Sequence, residues 1–294
     1  MPLSQDGFAR YGDVEAIFAA ESPDSDVADP LAMGEAFDRV EEEFGRFLDE
    51  SLHPRGRDSL DDLLASTNMP RGGVGVDVGC GSGRNVVALA TRFGLYVHGV
   101  DPAPGNVEKA RQRAATAGLH DRTDLQVGRA EAIPLPDATV DVLWCKEAIT
   151  FTDLDAAMRE FHRVMRPGAV GLIYQVLTGP TMSATEADWL TAQELGFGAA
   201  RIVRPDDVEG AIETAGLELV ERDDYASEWG EAGAETDDGP GRRLLHAARL
   251  LRAPQLYIDR YGPTNYRIML ADCMWHVYRM IGKLWGVALL FKRP

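Results

Sequence analysis

Residues 75–83, Gly75-Val76-Asp77-Val78-Gly79-Cys80-Gly81-Ser82-Gly83, decide the fold of this 294-residue chain. A short β-branched run ends at Val78 and enters a turn with glycine at every second position. Glycine is needed where the backbone takes a positive φ or must lie against a ligand without a Cβ in the way. A helical pattern begins near Arg84. The stretch therefore predicts a strand, a tight turn and a helix N-terminus that together form a pocket for a small polar cofactor.

The spacing of the glycines indicates which cofactor this pocket takes. A dinucleotide fingerprint, G-x-G-x-x-G, requires its third glycine at position 84, where this chain has Arg84. Asp77 stands two residues before Gly79, where its carboxylate would repel a pyrophosphate. The same carboxylate suits a ligand that carries an ammonium group. A nicotinamide-dependent oxidoreductase is therefore disfavoured.

In this stretch the chain resembles the class I S-adenosylmethionine (SAM)-dependent methyltransferases, whose first motif reads much like V-D-V-G-C-G-S-G. The resemblance covers about residues 71–226 and 285–294. It implies that Asp77 binds or orients the ammonium group of SAM. It also implies that the turn lets the main chain approach the amino-acid part of SAM, at Gly79, Cys80, Gly81 and Gly83.

A second motif resembling the family follows the second predicted strand, in Val97-His98-Gly99-Val100-Asp101-Pro102. The resemblance implies that Asp101 accepts hydrogen bonds from both ribose hydroxyls, since a carboxylate has two acceptor oxygens. Pro102 follows in the same turn. Asn106 stands where the family usually has an apolar residue against the adenine, so its contact with the cofactor is only an expectation.

The third motif departs from the family pattern. Residues 128–137, G-R-A-E-A-I-P-L-P-D, resemble the family's G-D-A-E-x-L-P-F-P-D segment. Arg129 replaces the acidic residue that usually reads the adenine amino group. The amide of Ala130 can still reach the ring nitrogen, but the amino-group contact must come from elsewhere, such as Glu131 or a carbonyl. Because of this departure, a non-catalytic SAM-binding scaffold or partner subunit stays open as an alternative.

The resemblance implies four further site residues. The carbonyl of Cys145, at the end of the fourth predicted strand, would face the cofactor ammonium. Tyr11, in F-A-R-Y-G, resembles the family's aromatic cofactor lid, although it can equally be a packing residue. A general base is required only if the acceptor arrives protonated. The candidates are Glu147, after the fourth strand, and His276, for which a packed or solvated helix histidine is the alternative.

The predicted fold class is α/β, with a Rossmann-like seven-stranded, mostly parallel sheet whose last strand is antiparallel. Strand and helix patterns alternate through the middle of the chain, which is typical of such sheets. The segment 1–70 is predicted to be a helical N-terminal cap, and 71–226 the SAM-binding core, which 285–294 completes. The segment R-E-F-H-R-V-M-R-P-G at 159–168 resembles the end of a helix in ubiquinone/menaquinone C-methyltransferase-like enzymes, which act on small molecules.

Between the sixth and seventh strands, residues 227–284 are predicted to be a helical lid and substrate-binding insertion. An acidic, flexible loop at about 232–241 is expected to precede two amphipathic helices. The first has a stripe of Leu244, Leu245, Ala248 and Leu251. Tryptophan, tyrosine and methionine are frequent in this insertion, so a bulky, partly apolar small molecule is the expected acceptor.

Composition and charge limit the partners. The net charge is −17, and no lysine or arginine cluster is evident, so nucleic acid is not expected. No apolar run reaches the length of a membrane span, so no membrane partner is expected either. Three scattered cysteines and the lack of a signal sequence indicate a cytoplasmic protein. The sequence contains no cluster of carboxylates of the kind that holds a metal ion, so no metal site is predicted. Whether the chain forms a homodimer is left open.

The predicted function is transfer of a methyl group from SAM to O, N or C of a small molecule, with S-adenosylhomocysteine as the product. An arginine- and alanine-rich composition with only four lysines is associated with bacterial sources in which natural-product biosynthesis is common. This last step is an association and not a physical argument.

Overall fold

A computed structural model of the protein describes residues 45–67, 69, 70, 72–194, 203–237 and 239–294. The chain divides into two compact units after Pro54. In the first unit, the described residues 45–54 contain one short helix, α1 (Gly45–Leu48). The second unit, Arg55–Pro294, contains the sheet and all other described helices.

The sheet has seven strands in the order β3-β2-β1-β4-β5-β7-β6. Strands β1 to β5 are parallel, and β7 runs antiparallel to both β5 and β6. The predicted fold class is therefore confirmed. The strands are β1 (Val74–Val78), β2 (Tyr96–Asp101), β3 (Thr123–Val127), β4 (Val140–Lys146), β5 (Met165–Thr178), β6 (Glu218–Ala226) and β7 (Leu284–Lys292).

The central strands are buried on both faces, as parallel strands covered by helices must be. Along β4 and β5, successive side chains alternate between two apolar clusters. Leu143 and Ile173 belong to one cluster, whereas Trp144 and Tyr174 belong to the other. Because strand side chains alternate in direction, these clusters lie on opposite faces of the sheet.

Among the described residues of the second unit, six α-helices outside the insertion flank the sheet. The helix Arg84–Phe93 ends at Gly94, which adopts a left-handed conformation with φ 67°, as the sequence predicts for a C-terminal glycine. Asp153 caps another, because its carboxylate accepts a hydrogen bond from the amide of Ala156 at 3.0 Å. The six are α2 (Asp58–Ala65), α3 (Arg84–Phe93), α4 (Pro104–Thr116), α5 (Leu154–Val164), α6 (Ala184–Glu194) and α7 (Pro205–Thr214).

The insertion between β6 and β7 differs from the sequence-based expectation of two helices. It contains α8 (Glu228–Asp237), α9 (Gly239–Arg252), α10 (Pro254–Tyr261) and α11 (Pro263–Met280). The predicted acidic loop at 232–241 is wrong for most of its length, because α8 continues to Asp237. A Cβ on Gly230 would lie 2.7 Å from the sulfur of Met280. Glycine in α8 therefore permits close packing against α11 and does not mark a turn.

The predicted apolar stripe of α9 was expected to pack against the protein, but most of its side chains face solvent. Leu244, Leu245 and Leu251 are exposed, whereas Ala247 and Leu250 are buried in a cluster with residues of α11. The packed face of α9 is therefore narrow, and the larger leucines lie on the outer side of the helix. The sequence pattern identifies an apolar stripe but does not show which of two stripes is covered.

Candidate active site

The glycine-rich turn lies at the carboxyl end of β1 and is tied to β2. The amides of Gly79 and Cys80 both donate to the carbonyl of Val100, at 2.8 and 3.0 Å. The amide of Gly83 donates to the carbonyl of Cys80 at 2.9 Å, which closes the turn just before α3. The turn is thus held by main-chain bonds at the sheet edge where ligands bind in open α/β sheets.

The three glycines of the turn have different physical roles. All three adopt positive φ, at 73° for Gly79, 51° for Gly81 and 78° for Gly83. A Cβ on Gly79 would collide with Ala148, and one on Gly83 would lie 2.8 Å from the Cβ of Ala110. A Cβ on Gly81 would meet nothing within 4 Å. Gly81 therefore borders open space, and this is the position where a ligand can lie against bare backbone.

Asp101 closes the same site from the end of β2. Its Oδ2 accepts from the amide of Gly81 at 2.9 Å, and its Oδ1 accepts from the amide of Ala103 at 2.9 Å and from Asn106 Nδ2 at 3.1 Å. A carboxylate offers about four acceptor positions, so one remains free on Oδ2. One ribose hydroxyl can bind there directly, whereas a second hydroxyl would have to replace the Asn106 amide. Pro102 follows in the exposed turn before α4.

Asp77 is the least satisfied polar group of the site. Its side chain is completely buried, and neither oxygen has a hydrogen-bond partner among the described residues. Burial raises the pKa of this carboxyl to about 7, Asp101 raises it further, and the ammonium of Lys146 opposes the shift. Buried polar groups are normally hydrogen-bonded. A cationic ligand group beside Asp77 would satisfy it, so these residues fit the ammonium of SAM.

Glu131 is already engaged in the structure. Its Oε1 accepts from the amide of Asp153 at 2.9 Å, and its Oε2 lies 3.4 Å from Nε of Arg129. Glu131 therefore fixes the start of α5 and pairs with the residue that departs from the family pattern. Ala130 is buried between them. Contacts of Ala130 and Glu131 with the adenine stay predictions.

Two further residues were predicted to contact the cofactor, Cys145 and Tyr11. Cys145 is fully buried in β4, in register between Val78 and Ile173. Burial raises the pKa of its thiol, so the side chain is not a nucleophile and only the main chain can serve a ligand. Tyr11 lies outside the described residues.

Glu147, one of the predicted general-base candidates, directly follows β4. It adopts a left-handed φ of 54°, and its amide donates to the carbonyl of Tyr174 at 2.8 Å. Its Oε2 lies 2.8 Å from Nζ of Lys146, and that ammonium lies 5.2 Å from the ring centre of Trp229 and 5.7 Å from that of Tyr174. Lys146 is a site residue that was not predicted from the sequence, although a lysine at a strand end in a chain with four lysines is a usable signal.

His276 lies half-buried on α11. Burial lowers the pKa of its imidazole, Arg243 and Arg279 lower it further, and Asp272 and Glu147 oppose the shift. The imidazole is therefore neutral near pH 7. Its Nε2 lies 4.0 Å from Asp272, which pairs with Arg243 at 2.8 Å. Since Glu147 acts electrostatically on His276, the structure brings the two predicted base candidates into one region.

Within the described ranges, no group of three or more His, Cys, Asp or Glu side chains is arranged to hold a metal ion. Every helix in those ranges is too short or too polar to span a bilayer.

Comparison with known proteins gives consistent matches. A family model described as a methyltransferase domain matches residues 76–173. The 27-O-demethylrifamycin SV methyltransferase of Amycolatopsis mediterranei is 29% identical over 210 residues, which are 67% of this chain and 77% of the relative. Methyltransferase GfsG of Streptomyces halstedii is 31% identical over 211 residues, which are 70% of this chain and 67% of the relative. The structure of a geranyl diphosphate methyltransferase in complex with SAM covers 80% of this chain and 84% of its own, with a TM-score of 0.61 at 20% identity, a likeness of fold.

Gly81→Ala should weaken SAM binding while Gly94→Ala does not. Both glycines have positive φ, and a Cβ at either would meet no atom within 4 Å, so the backbone strain of alanine is matched at about 1 kcal/mol. Only Gly81 lies in the glycine-rich turn, where SAM is predicted to bind. Calorimetric titration with SAM should show at least a tenfold higher Kd for Gly81→Ala, with both variants equally destabilised in urea. Equal SAM affinity of the two variants would contradict the placement of the cofactor.

SAM affinity should depend on pH through Asp77. Its pKa near 7 means that the carboxyl loses charge as the pH falls below that value. The ammonium of SAM prefers the ionised form and stays protonated itself in this range. The Kd should therefore rise about fivefold between about pH 7 and pH 6. Calorimetry with Asp77→Asn is the control, since this variant should bind more weakly but without that pH dependence; a retained dependence would assign it to another group.

Proposed function

The chain belongs to the class I SAM-dependent methyltransferases, and from this we propose that it methylates a hydroxyl oxygen of a bulky, partly apolar small molecule in bacterial natural-product biosynthesis. Its cofactor is SAM. The observation that supports the oxygen assignment is that two candidate proton acceptors, Glu147 after β4 and the half-buried His276 on α11, interact electrostatically, while Glu147 pairs with Lys146 and His276 lies near Asp272. A neutral amine acceptor would need such a base less, because its lone pair can attack the methyl group before any proton is removed.

SAM supplies a methyl group that is already activated by a positive sulfur, so the protein's main task is alignment. We propose that Asp77 holds the ammonium group, that Asp101 accepts from a ribose hydroxyl, and that the backbone at Gly81 lies against the cofactor. Three hydrogen bonds fix the Asp101 carboxylate before any ligand binds. A prearranged site of this kind places reacting atoms within about 3–3.5 Å, which supplies a large part of the rate enhancement.

The acceptor hydroxyl must lose its proton as the new bond forms. His276 is neutral near pH 7 because burial lowers its pKa, so it can accept a proton. Glu147 can accept one as well, and Lys146 holds its carboxylate at 2.8 Å. The two candidates have separate tests, and one of them is expected to dominate.

The aromatic side chains around Lys146 support an apolar acceptor. Tyr174 and Trp229 pack with ring centres 4.2 Å apart, and Tyr225 lies 5.8 Å from Tyr174. Trp275 lies beside His276 on α11. Tyr174 and Tyr225 are buried core residues, whereas Trp229 and Trp275 are partly exposed and offer an apolar surface that suits a lipophilic molecule. A named relative methylates 27-O-demethylrifamycin SV, and we carry over to this chain the oxygen acceptor and the size class.

Other expectations are retained as proposals. The non-catalytic scaffold raised by Arg129 is not supported, because the relatives of this chain are named as methyltransferases. We propose a cytoplasmic location, since the three cysteines are all buried and free. The core and insertion boundaries predicted from the sequence, a possible contribution of Tyr11 and the absence of a nucleic-acid partner also stand as proposals.

Glu147→Gln and His276→Asn should separate the base candidates. Loss of the dominant base should lower kcat by roughly a hundredfold or more, with the Kd for SAM unchanged. The matched controls are Glu218→Gln, whose carboxylate pairs with Lys292 at 2.8 Å at the opposite end of the sheet, and His246→Asn on α9. Transfer of a labelled methyl group to hydroxylated natural products, beginning with 27-O-demethylrifamycin SV, is the measurement. If both site variants keep the kcat of the controls, the proposed oxygen chemistry fails and the family assignment is untouched.

A further inference from the structure

The outer side of α9 combines exposed leucines with arginines. Leu244, Leu245 and Leu251 are 59%, 46% and 59% exposed. Arg242, Arg249 and Arg252 are exposed on the same helix. These six residues are called the arginine–leucine face below. Leu256 of α10, 63% exposed, continues the apolar surface beyond them.

The charge of this region is opposite to that of the chain. Residues 239–267 contain six arginines, one aspartate, and no glutamate or lysine, in a protein with a net charge of −17. The sequence-based expectation of no basic cluster is therefore wrong for this segment. The arginines were overlooked because leucines and alanines separate them along the chain, and the helix brings them together.

The arginines of the face form no ion pair with the described residues, and they are close together on one helix. Among the described residues, Arg242, Arg249 and Arg252 have no carboxylate within ion-pair distance. Arg243, on the inner side of the same helix, pairs with Asp272 at 2.8 Å, and Arg55 pairs with two acids at 2.7 Å. Three neighbouring arginines that pair with no carboxylate of the described residues, in a segment with six arginines and one acidic residue, favour an anionic partner.

Two kinds of partner fit this face poorly. A second copy of the chain in a symmetric dimer would place the same arginines opposite each other, and like charges at an interface are unfavourable. Nucleic acid would satisfy the arginines but would leave the leucines against phosphates and water. The partner must therefore supply negative charge and an apolar interior together.

We propose that the arginine–leucine face binds the surface of an anionic lipid bilayer. Leucines on a convex helix can enter the boundary between headgroups and acyl chains, while the long arginine side chains reach the phosphates beside them. A basic amphipathic helix on a protein surface is typical of such peripheral binding. The earlier expectation of no membrane partner rested on the lack of a spanning run, and this mode of binding needs none.

The position of the arginine–leucine face would bring a bound bilayer close to the proposed acceptor site. Ala247 and Leu250 pack the inner side of α9 onto α11 near Cys273, one turn before His276. Packed helices lie about 8–10 Å apart, so a bilayer on α9 would lie one helix layer from the acceptor side of the site. A lipophilic acceptor dissolved in the bilayer would then have a short path to the enzyme. The binding itself does not depend on the proposed acceptor.

Vesicle binding by the full-length protein tests the proposal. The expected result is co-sedimentation with phosphatidylcholine vesicles that contain about three parts in ten phosphatidylglycerol, and little with phosphatidylcholine alone. Binding should weaken as salt is raised, because the arginine contribution is screened. Absence of binding to the anionic vesicles overturns the proposal and leaves an acidic protein as the occupant to be sought.

Matched variants show whether this face is responsible. Arg249→Gln with Arg252→Gln should weaken vesicle binding about fivefold per arginine. Arg122→Gln with Arg159→Gln, two exposed arginines elsewhere, should leave it unchanged. Equal loss in both pairs would mean general electrostatic attraction and would overturn the assignment.

A leucine pair tests the apolar part of the face. Leu245→Ser should weaken vesicle binding about tenfold, whereas Val220→Ser, 52% exposed on β6, should not. The SAM-induced rise in Tm should be the same for all variants, which shows that each is folded with an intact cofactor site. Sedimentation equilibrium without lipid is measured alongside; self-association that Leu245→Ser abolishes would assign the face to a second copy and overturn the proposal.

Discussion

The site depends on one unfavourable arrangement, the burial of the Asp77 carboxylate with no hydrogen-bond partner among the described residues. Ionising such a group costs several kcal/mol unless a positive group lies beside it. Register places Asp77 between Gly99 and Trp144 in the middle of the sheet, and its side chain is not exposed to solvent. The folded protein tolerates this group by raising its pKa, and a cationic ligand removes the penalty. The stability of the empty site and its affinity for SAM are therefore linked through the same atoms.

The cofactor half of the site could be predicted from the sequence because its signals are local. The positive φ of Gly79, Gly81 and Gly83 follows from their spacing after a strand, and the position of Asp101 follows from the end of the next strand. The boundaries of β1 and α3 agree with the sequence pattern for the same reason. The pattern does not show that the three glycines of the turn have different roles. Two glycines are required by neighbouring residues that are distant in sequence, and only Gly81 borders open space.

The acceptor half could not be predicted to the same depth, because contacts across the fold determine it. A Cβ on Gly230 would lie 2.7 Å from the sulfur of Met280, so α8 packs closely on α11 although the composition of the segment is typical of a loop. Lys146 acquires its importance from Glu147 and from Trp229, which is more than eighty positions away. Likewise, the face that α9 turns to solvent depends on which of its two apolar stripes packs against α11. Contacts between residues distant in sequence have no local pattern, so cofactor and fold are easier to predict than the acceptor.

The central claim is that carboxylates at the ends of β1 and β2 bind a sulfonium nucleoside. Calorimetric titration of Asp101→Ala with SAM tests it most directly, with circular dichroism to establish that the variant is folded. Hydrogen bonds to a charged group are worth about 1.5–3 kcal/mol, so the Kd for SAM should rise at least tenfold. Asp137→Ala, which removes an exposed carboxylate that pairs with Arg163, is the control and should bind as the wild type does. A folded Asp101→Ala protein with wild-type affinity for SAM would contradict the account.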